Sequence, residues 1–500
     1  MPLGTRLGDQ MVDKSVDPNG QRLPIKLDST SNGEFEPVPL APIHRYACDH
    51  ALARATEHAR RQGRSRRDFL VSACGAASTL LAMNEAFGAI GRRGGYYELP
   101  GTAALDDDTA VAAVTGDEFI FDVQGHFVNP TGAWLRALPD EASPLRFAQT
   151  DNCAAAAMGG PRDHLQCLGP DAFIRHLFLD SDTDLAVLSF VPSTRDGEPL
   201  TIEEAAATQE IVAKLGGTRR LYLHGRVNPN QAGDLEDMER LSQQFGIAAW
   251  KTYTQWGPSG TGFFLDDDVG LAMIEQARRL GVRNIAVHKG LPFGARSYEH
   301  STCIDVGRVA KQYPDVNFLI YHSGFTTSRP EGPYDPKRTD GIDQLISSVR
   351  AAGLRKRHNV FAELGSTWRF LMRDPDQAAH ALGKLLLHLG EDNILWGTDS
   401  IWYGSPQDQI QAMRTFQISE PLRERFAYPQ MTPAIRAKIF GLNALRIYQV
   451  PLDVRAAHLG NDQVAAWREG YRNRPDPHFE TYGPKTRREF LNLQRWSAGP

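Results

Sequence analysis

The chain has 500 residues, of which 41% are hydrophobic and 23% are charged, a composition typical of a globular protein with the length of several domains. It excludes collagen, coiled coil and wholesale disorder. The 55 basic and 60 acidic residues give a formal charge of −5, so no net field favours nucleic acid or an anionic membrane. The function must therefore be inferred from individual sites.

Residues 1–64 are predicted to form a flexible leader. The first 60 residues show no sustained apolar period and are rich in Pro, Asp and Ser between short apolar words. Such a segment does not indicate a packed element.

Residues 65–89 contain a pair of arginines followed by a short apolar run. The uncharged stretch from Phe69 to Met83 is 15 residues long, whereas a membrane-spanning helix needs about 18 or more. The segment resembles a twin-arginine export signal, and the residues that match the pattern are Ser65, Arg66, Arg67, Phe69 and Leu70. The resemblance implies export by the twin-arginine translocation machinery and a periplasmic or secreted protein, with cleavage near Ala86 to Ala89. The alternative is a helix at the edge of a cytoplasmic domain.

Short apolar runs alternate with amphipathic stretches from Glu118 onward, which is typical of strands joined by helical crossovers. The eight predicted strands cover residues 119–123, 185–191, 220–225, 247–252, 284–288, 316–322, 359–364 and 393–398. Amphipathic helices are predicted over residues 269–280, 342–349 and 374–389, each followed by a glycine that can end a helix. This order predicts an α/β protein with a (β/α)8 TIM barrel over residues 119–449 and a C-terminal extension over residues 450–500.

Polar residues follow the predicted strands at their carboxyl ends, where a barrel of this kind places its active site. They are Gln124 and His126 after the first strand, Lys251 in the fourth, His288 in the fifth, His322 in the sixth, Glu363 in the seventh and Asp399 after the eighth. Imidazoles and a carboxylate that converge from different strands suit a divalent cation such as zinc, which lowers the pKa of a bound water towards 7. The pattern therefore predicts a metal site.

These words resemble the amidohydrolase superfamily, in particular its amidohydrolase-related branch that includes the aminocarboxymuconate-semialdehyde decarboxylase type. The similarity runs from Phe119 to about Tyr448, and its most specific motifs are Gly397-Thr398-Asp399 and the stretch 439–448. The resemblance implies that His126, His288 and Asp399 bind the metal, with His322 as the acid/base or a further ligand and Asp399 as the proton acceptor. Gln124 stands where the family usually has a histidine, and its amide is a weaker ligand.

Four further residues are predicted to contact substrate. Lys251 has two interpretations: a carboxylated lysine that bridges two metals, or a cation that pairs with Glu363 or with a substrate carboxylate. Arg226 follows the third strand and is the other candidate for a carboxylate. Trp256 belongs to a group of aromatic residues in the loops that favours a ring-containing substrate.

Hydrolysis of an amide, ester or lactone by a metal-held water is the main prediction. The alternatives are a metal-dependent nonoxidative decarboxylase on the same scaffold and, as a third reading motivated by Gln124, a ligand-binding barrel without catalysis. We expect a small-molecule substrate, no nucleic acid, no stable membrane insertion and a homo-oligomer.

Overall fold

The computed structural model describes residues 17–135, 163–216, 219–258, 260–292, 298–355, 358–451, 462–473, 475, 477 and 479–491, and the account below concerns these residues. In this part of the chain, no helix combines the length and the apolar character that crossing a membrane requires.

Eight parallel strands form the central sheet. They are β2 (Phe121–Gly125), β3 (Leu185–Leu188), β4 (Leu221–Arg226), β5 (Ala249–Tyr253), β6 (Asn284–His288), β7 (Asn317–Tyr321), β8 (Val360–Glu363) and β9 (Ile394–Leu395). Each strand pairs with the next one in the sequence. The sheet closes because Gly125 bridges to Ser400 and the Val123 amide donates to the Trp396 carbonyl at 3.0 Å. The predicted (β/α)8 barrel is confirmed. A separate antiparallel pair is formed by β1 (Gly95–Tyr97) and β10 (Phe416–Ile418).

Seventeen α-helices lie in the described residues. Those before the barrel are α1 (Pro42–Gln62), α2 (Arg66–Val71), α3 (Ala73–Ala89) and α4 (Asp107–Val114). Those between barrel strands are α5 (Pro170–Ile174), α6 (Ile202–Gly216), α7 (Asp234–Phe245), α8 (Asp268–Arg279), α9 (Val306–Gln312), α10 (Gly341–Ala351), α11 (Thr367–Leu371) and α12 (Pro375–His388). Those after the barrel's last strand are α13 (Gln407–Thr415), α14 (Glu420–Phe426), α15 (Pro433–Ala437), α16 (Asn443–Ile447) and α17 (Gln463–Asn473).

The barrel interior is packed at its amino end and polar at its carboxyl end. Side chains from alternate strand positions, among them Phe121, Val187 and Leu319, fill the centre. Helix α16 closes the amino end, where the Asn284 side chain donates to the Ile447 carbonyl at 3.0 Å. The polar residues of the predicted site lie at the opposite, carboxyl end.

The N-terminal region differs from the predicted flexible leader. Within it, residues 42–62 form α1, and residues 23–35, which we call the N-terminal strap, cross the carboxyl end of the barrel. Ile25, Leu27 and Phe35 of the strap are almost fully buried in the main core. Residues 1–16 of the predicted leader lie outside the described residues. The packing of the strap gives no local sequence signal, because its apolar residues are too few and too irregular to show a period and their partners lie hundreds of residues away.

The strap is fixed by polar contacts at several points. The Lys26 ammonium donates to the carbonyls of Tyr403 and Ser405 at 2.7 and 2.6 Å. Asp28 pairs with Arg369 at 2.6 Å, and the Ser31 amide donates to the Pro484 carbonyl at 2.9 Å. The strap thus lies between the barrel loops and the C-terminal extension.

The predicted export segment, residues 65–89, is built into the same body. Ser65 caps α2, and Arg66 donates to the Asn19 carbonyl at 2.9 and 3.1 Å. Helix α3 buries most of its small and apolar residues, including Leu80 and Met83, against the main core. In this structure the segment is part of the folded protein.

Candidate active site

The carboxyl ends of β2, β6, β7 and the chain after β9 bring the predicted metal residues together. Gln124, His126, His288, His322 and Asp399 are all at most 2% exposed. The backbone is strained at this place: His322 and Asp399 have φ values of 61° and 59°, in the left-handed region that residues other than glycine rarely adopt. Strain of this kind is common where a side chain must be aimed at a reacting group.

The three histidines are oriented in the same way. One ring nitrogen of each faces a backbone carbonyl: His126 Nδ1 faces Ser189 at 3.1 Å, His288 Nε2 faces Leu291 at 2.9 Å, and His322 Nδ1 faces Gly365 at 2.7 Å. Because a carbonyl oxygen only accepts hydrogen bonds, the nitrogen that faces it carries the hydrogen. In the neutral ring, the other nitrogen then carries a lone pair that is directed into the site. Metal-binding histidines are held in this manner.

His126, Gln124 and Asp399 form one half of the site. Asp399 Oδ1 lies 3.2 Å from His126 Nε2 and accepts a hydrogen bond of 3.0 Å from Gln124 Nε2. The Gln124 amide also lies 3.4 Å from His126 Nε2. Gln124 therefore uses its donor side on Asp399, while its oxygen has no hydrogen-bond partner among the described residues.

Glu34, His288 and His322 form the other half. Glu34 Oε1 lies 3.2 Å from His288 Nδ1, and Oε2 lies 3.1 Å from His322 Nε2. Their ligand atoms all lie within 4.8 Å of one another, a spacing that a divalent cation can bridge. Glu34 belongs to the strap, so the carboxylate comes from outside the barrel.

Sequence reasoning missed Glu34 and its neighbour Asn32. The Asn32 amide donates to Asp399 Oδ2 at 2.6 Å and to Glu34, and so connects the two halves. No motif marks either residue. The one available signal is indirect: Gln124 leaves the first strand without a strong ligand, so another donor has room to contribute.

Burial and charge shift several pKa values in opposite directions. Burial would raise the pKa of Glu34, but the charges of His288 and His322 outweigh it and hold that pKa well below its usual range. Burial would lower the pKa of His322, but the Glu34 carboxylate outweighs it and raises that pKa to about 9. Burial raises the pKa of Glu363 to about 7. The site thus concentrates buried charge, as catalytic sites do.

Lys251 does not pair with Glu363. The Glu363 carboxylate accepts from the backbone amides of His322 at 3.0 Å and Gly365 at 2.5 Å, and so holds the strained turn after β7. The Lys251 ammonium is fully buried, lies 3.6 Å from the centre of the Tyr321 ring, and has no hydrogen-bond partner among the described residues. Burial lowers its pKa to about 7.

The structure places the other two predicted substrate contacts differently. Arg226 donates to Glu198 at 2.8 Å and to Asp234 at 2.9 Å, so both sides of its guanidinium are already occupied by carboxylates. Its role as a carboxylate-binding residue is therefore corrected. Trp256 is buried against Tyr253, whose ring stacks on His288 at 4.7 Å, and so lies one residue away from the site.

The sequence pattern of the amidohydrolase family matches residues 122–450, which is the barrel with its closing helix. The chain belongs to the amidohydrolase family. No curated protein matches it.

Several solved structures are similar to the chain. The 5-carboxyvanillate decarboxylase LigW from Sphingomonas paucimobilis is 13% identical, with a TM-score of 0.41 over 67% of this chain and 99% of that one. A second 5-carboxyvanillate decarboxylase, LigW2 from Novosphingobium aromaticivorans with bound manganese, is 12% identical, with a TM-score of 0.43 over 71% and 100%. The 2,6-dihydroxybenzoate decarboxylase from Rhizobium is 14% identical, with a TM-score of 0.36 over 67% and 99%.

Hydrolysis, the main prediction from the sequence, is corrected by these findings. The named solved structures are decarboxylases, in agreement with the alternative prediction. At such identities the similarity concerns the fold, so the chemistry of this chain is argued below from its own residues.

Proposed function

We propose that this member of the amidohydrolase family is a metal-dependent carboxy-lyase that removes carbon dioxide, without oxidation, from a small ring-containing carboxylic acid. The observation that carries the proposal is the Lys251 ammonium, which is buried beside the site histidines and hydrogen-bonds to no described residue. Burial without a hydrogen-bond partner disfavours the charged form of a lysine unless a ligand supplies the opposite charge. A substrate carboxylate supplies it.

The surroundings of Lys251 suit a carboxylate on an aromatic ring. Its ammonium lies against the rings of Tyr321 and Tyr253, at 3.6 and 4.6 Å from the ring centres, so apolar walls surround the charge. Trp402 stacks against His126 with ring centres 6.2 Å apart. A flat ring between such walls is held by stacking, while its carboxylate pairs with the lysine.

The residues present fit a divalent cation. The inward nitrogens of His288 and His322 are buried and have no hydrogen-bond partner among the described residues, and a carboxylate adjoins both. Two imidazoles and one carboxylate form a common ligand set of catalytic metals and leave positions open for substrate. When bound, the metal supplies positive charge that stabilises negative charge developing on a substrate oxygen. Of the two roles predicted for His322, acid/base or further ligand, this proposal uses the second.

His126 and Asp399 are placed to deliver the proton that replaces the carboxyl group. In the reaction, the bond between the ring carbon and the carboxyl carbon breaks and carbon dioxide leaves. The electron pair of the broken bond stays on the ring carbon. The proton donor is the imidazolium form of His126, which carries a hydrogen on both ring nitrogens: Nε2 donates its proton to that carbon, and Asp399, 3.2 Å away, stabilises the imidazolium before the transfer. The proton returns to His126 from solvent.

The test is product analysis on manganese-loaded protein in heavy water. Aromatic and heteroaromatic carboxylic acids are supplied, and carbon dioxide and the ring product are measured. We expect carbon dioxide release together with one solvent deuterium at the carbon that carried the carboxyl group. Failure of every acid to release carbon dioxide would contradict the proposal. The predicted homo-oligomer and the predicted export stay predictions.

A further inference from the structure

We propose that Glu34 of the N-terminal strap is a ligand of the metal centre, so that this chain completes its metal site with a carboxylate from outside the barrel. The inference rests on the metal dependence in the proposed function. It assigns the metal to Glu34, His288 and His322, and it assigns hydrogen bonding and proton transfer to Gln124, His126 and Asp399.

The geometry of the three donors supports this assignment. Glu34 places one carboxylate oxygen on each imidazole, at 3.2 and 3.1 Å, and its side chain is only 7% exposed. In the part of the chain that the structure describes, these three residues are the one group of metal-binding side chains whose donor atoms all lie within 4.8 Å.

The orientation of the imidazole rings shows what the group lacks. His288 and His322 each donate one ring hydrogen to a backbone carbonyl, so the second ring nitrogen of each faces a Glu34 oxygen. A proton on His322 bridges that ring to Glu34, but the second nitrogen of His288 then still faces a carboxylate oxygen at 3.2 Å, acceptor against acceptor. A divalent cation satisfies all three acceptors at once.

The strap is braced so that Glu34 enters the barrel. The Gly33 amide donates to Ser31 Oγ and the Glu34 amide to Asn32 Oδ1, both at 2.9 Å, which forms a tight polar turn. Phe35, immediately after the turn, packs edge-on against Phe370 with ring centres 6.1 Å apart. A buried carboxylate held this firmly needs a compensating cation.

The other half of the site explains why an outside carboxylate is required. Gln124 donates its amide hydrogen to Asp399 and lies beside His126 Nε2, so amide hydrogens occupy the space where a metal would meet these two residues. Asp122, the carboxylate of the first strand, accepts from the backbone amides of Gln124 and Thr398 and so offers the metal no anionic ligand. Asp399 already accepts from Gln124 and Asn32. Glu34 supplies the missing negative charge at the second half.

Manganese binding tests the assignment without any substrate. Chelator-treated full-length protein is titrated with Mn²⁺, and free Mn²⁺ is followed by electron paramagnetic resonance. Glu34→Gln keeps the size of the side chain and removes its charge. The matched control is Glu36→Gln, two residues after Glu34 and just beyond the strap, because Glu36 is 52% exposed and pairs with Arg487 at 3.3 Å. Circular dichroism melting without metal establishes that each variant is folded.

We expect Glu34→Gln to weaken Mn²⁺ binding by at least about 100-fold, since loss of an outer-sphere partner alone costs about 10- to 100-fold. Glu36→Gln should match the wild type. As a second variant, His288→Gln should weaken binding similarly. The assignment is overturned if Glu34→Gln binds Mn²⁺ as tightly as the wild type or more tightly. It is also overturned if the wild type binds neither Mn²⁺ nor Zn²⁺. Tight binding through Glu34 with no carbon dioxide from any acid would instead refute only the carboxy-lyase.

Discussion

Glu363 has no contact with a substrate in the proposed reaction, yet much of the site depends on it. Its carboxylate accepts from the backbone amides of His322 and Gly365, on either side of the strained turn that aims His322 inward. Gly397 packs so closely that an added Cβ would lie 1.7 Å from the Glu363 oxygen. A buried carboxylate thus provides the contacts that hold a strained backbone, which costs about 1–3 kcal/mol per residue.

Lys251→Met should raise KM for the substrate acid by about 10- to 100-fold while kcat changes less, because a charged hydrogen bond to the carboxylate is worth about 1.5–3 kcal/mol. Steady-state rates of carbon dioxide release measure both constants. Lys214→Met, at a lysine that is 78% exposed on α6, should leave them unchanged. A kcat loss at constant KM would assign Lys251 to the chemistry instead of to binding.

Asp374 gives a prediction for the dependence of stability on pH. It accepts from the Arg92 guanidinium at 2.5 Å and caps α12. Burial would raise its pKa, but the contacts with His44 and Arg92 outweigh burial and lower the pKa to about 2. Since the folded-state pKa lies below the unfolded-state value, the stabilisation is complete above about pH 4 and is lost as the pH falls towards 2.

Asp374→Asn should therefore lower the free energy of unfolding by about 2 kcal/mol at pH 7, and by progressively less as the pH falls below 4. Urea unfolding at several pH values measures the difference. The exposed Asp108→Asn serves as control. A deficit that stays constant down to pH 2 would show that the ionised carboxylate is not the cause.

The strap and the barrel strands differ in how far the sequence predicts them. Strands β3 and β6 are short continuous apolar runs with a polar residue at the end, so both their type and the position of His288 follow from local pattern. The strap has no regular hydrogen-bonding pattern of its own. Its position depends on single contacts between residues that are far apart in the sequence. The Lys26 amide, for example, donates to Asp408, which lies 382 residues further along the chain. Local sequence carries no signal of such pairs.

Helices α2 and α3 make the predicted export testable. The double variant Arg66→Lys, Arg67→Lys should stay in the cytoplasm if the twin-arginine pair directs export, and cell fractionation measures this.

Because α3 is buried in the core and the strap precedes it, we further expect the mature protein to retain residues 17–89. Mass spectrometry of purified protein checks this. A mature chain that begins near residue 89 would lack Glu34 altogether.

In the molecule as a whole, the carboxyl end of the barrel is covered by the strap and by residues 479–491. The Thr481 hydroxyl contacts Thr30 and Asp28, at 2.8 Å each, and an added Cβ on Gly483 would lie 1.8 Å from the Ser31 carbonyl. The C-terminal extension therefore presses the strap onto the site. Residues 479–491, a described part of the predicted extension over residues 450–500, thus have a part in positioning Glu34.

Deletion of residues 479–500 should release the strap while the barrel stays folded. We expect amide hydrogen exchange in residues 23–35 to become at least about tenfold faster, since local opening then needs less free energy. Mass spectrometry of peptides measures the exchange, and deletion of residues 492–500 alone is the control. Equal exchange in both truncations would show that the barrel alone holds the strap.

The contact between Thr30 and Thr481 spans 451 residues of chain. A ribosome adds about 5–20 residues per second, so the strap emerges roughly 20–90 s before its last partner exists. During that interval the Glu34 carboxylate first has no barrel to contact. Once the barrel strands have been made, the carboxyl end of the barrel is still uncovered. If Glu34 binds the metal as proposed, a nascent chain that stalls before residue 480 should hold the metal less tightly, because the strap that carries Glu34 is not yet pressed onto the barrel.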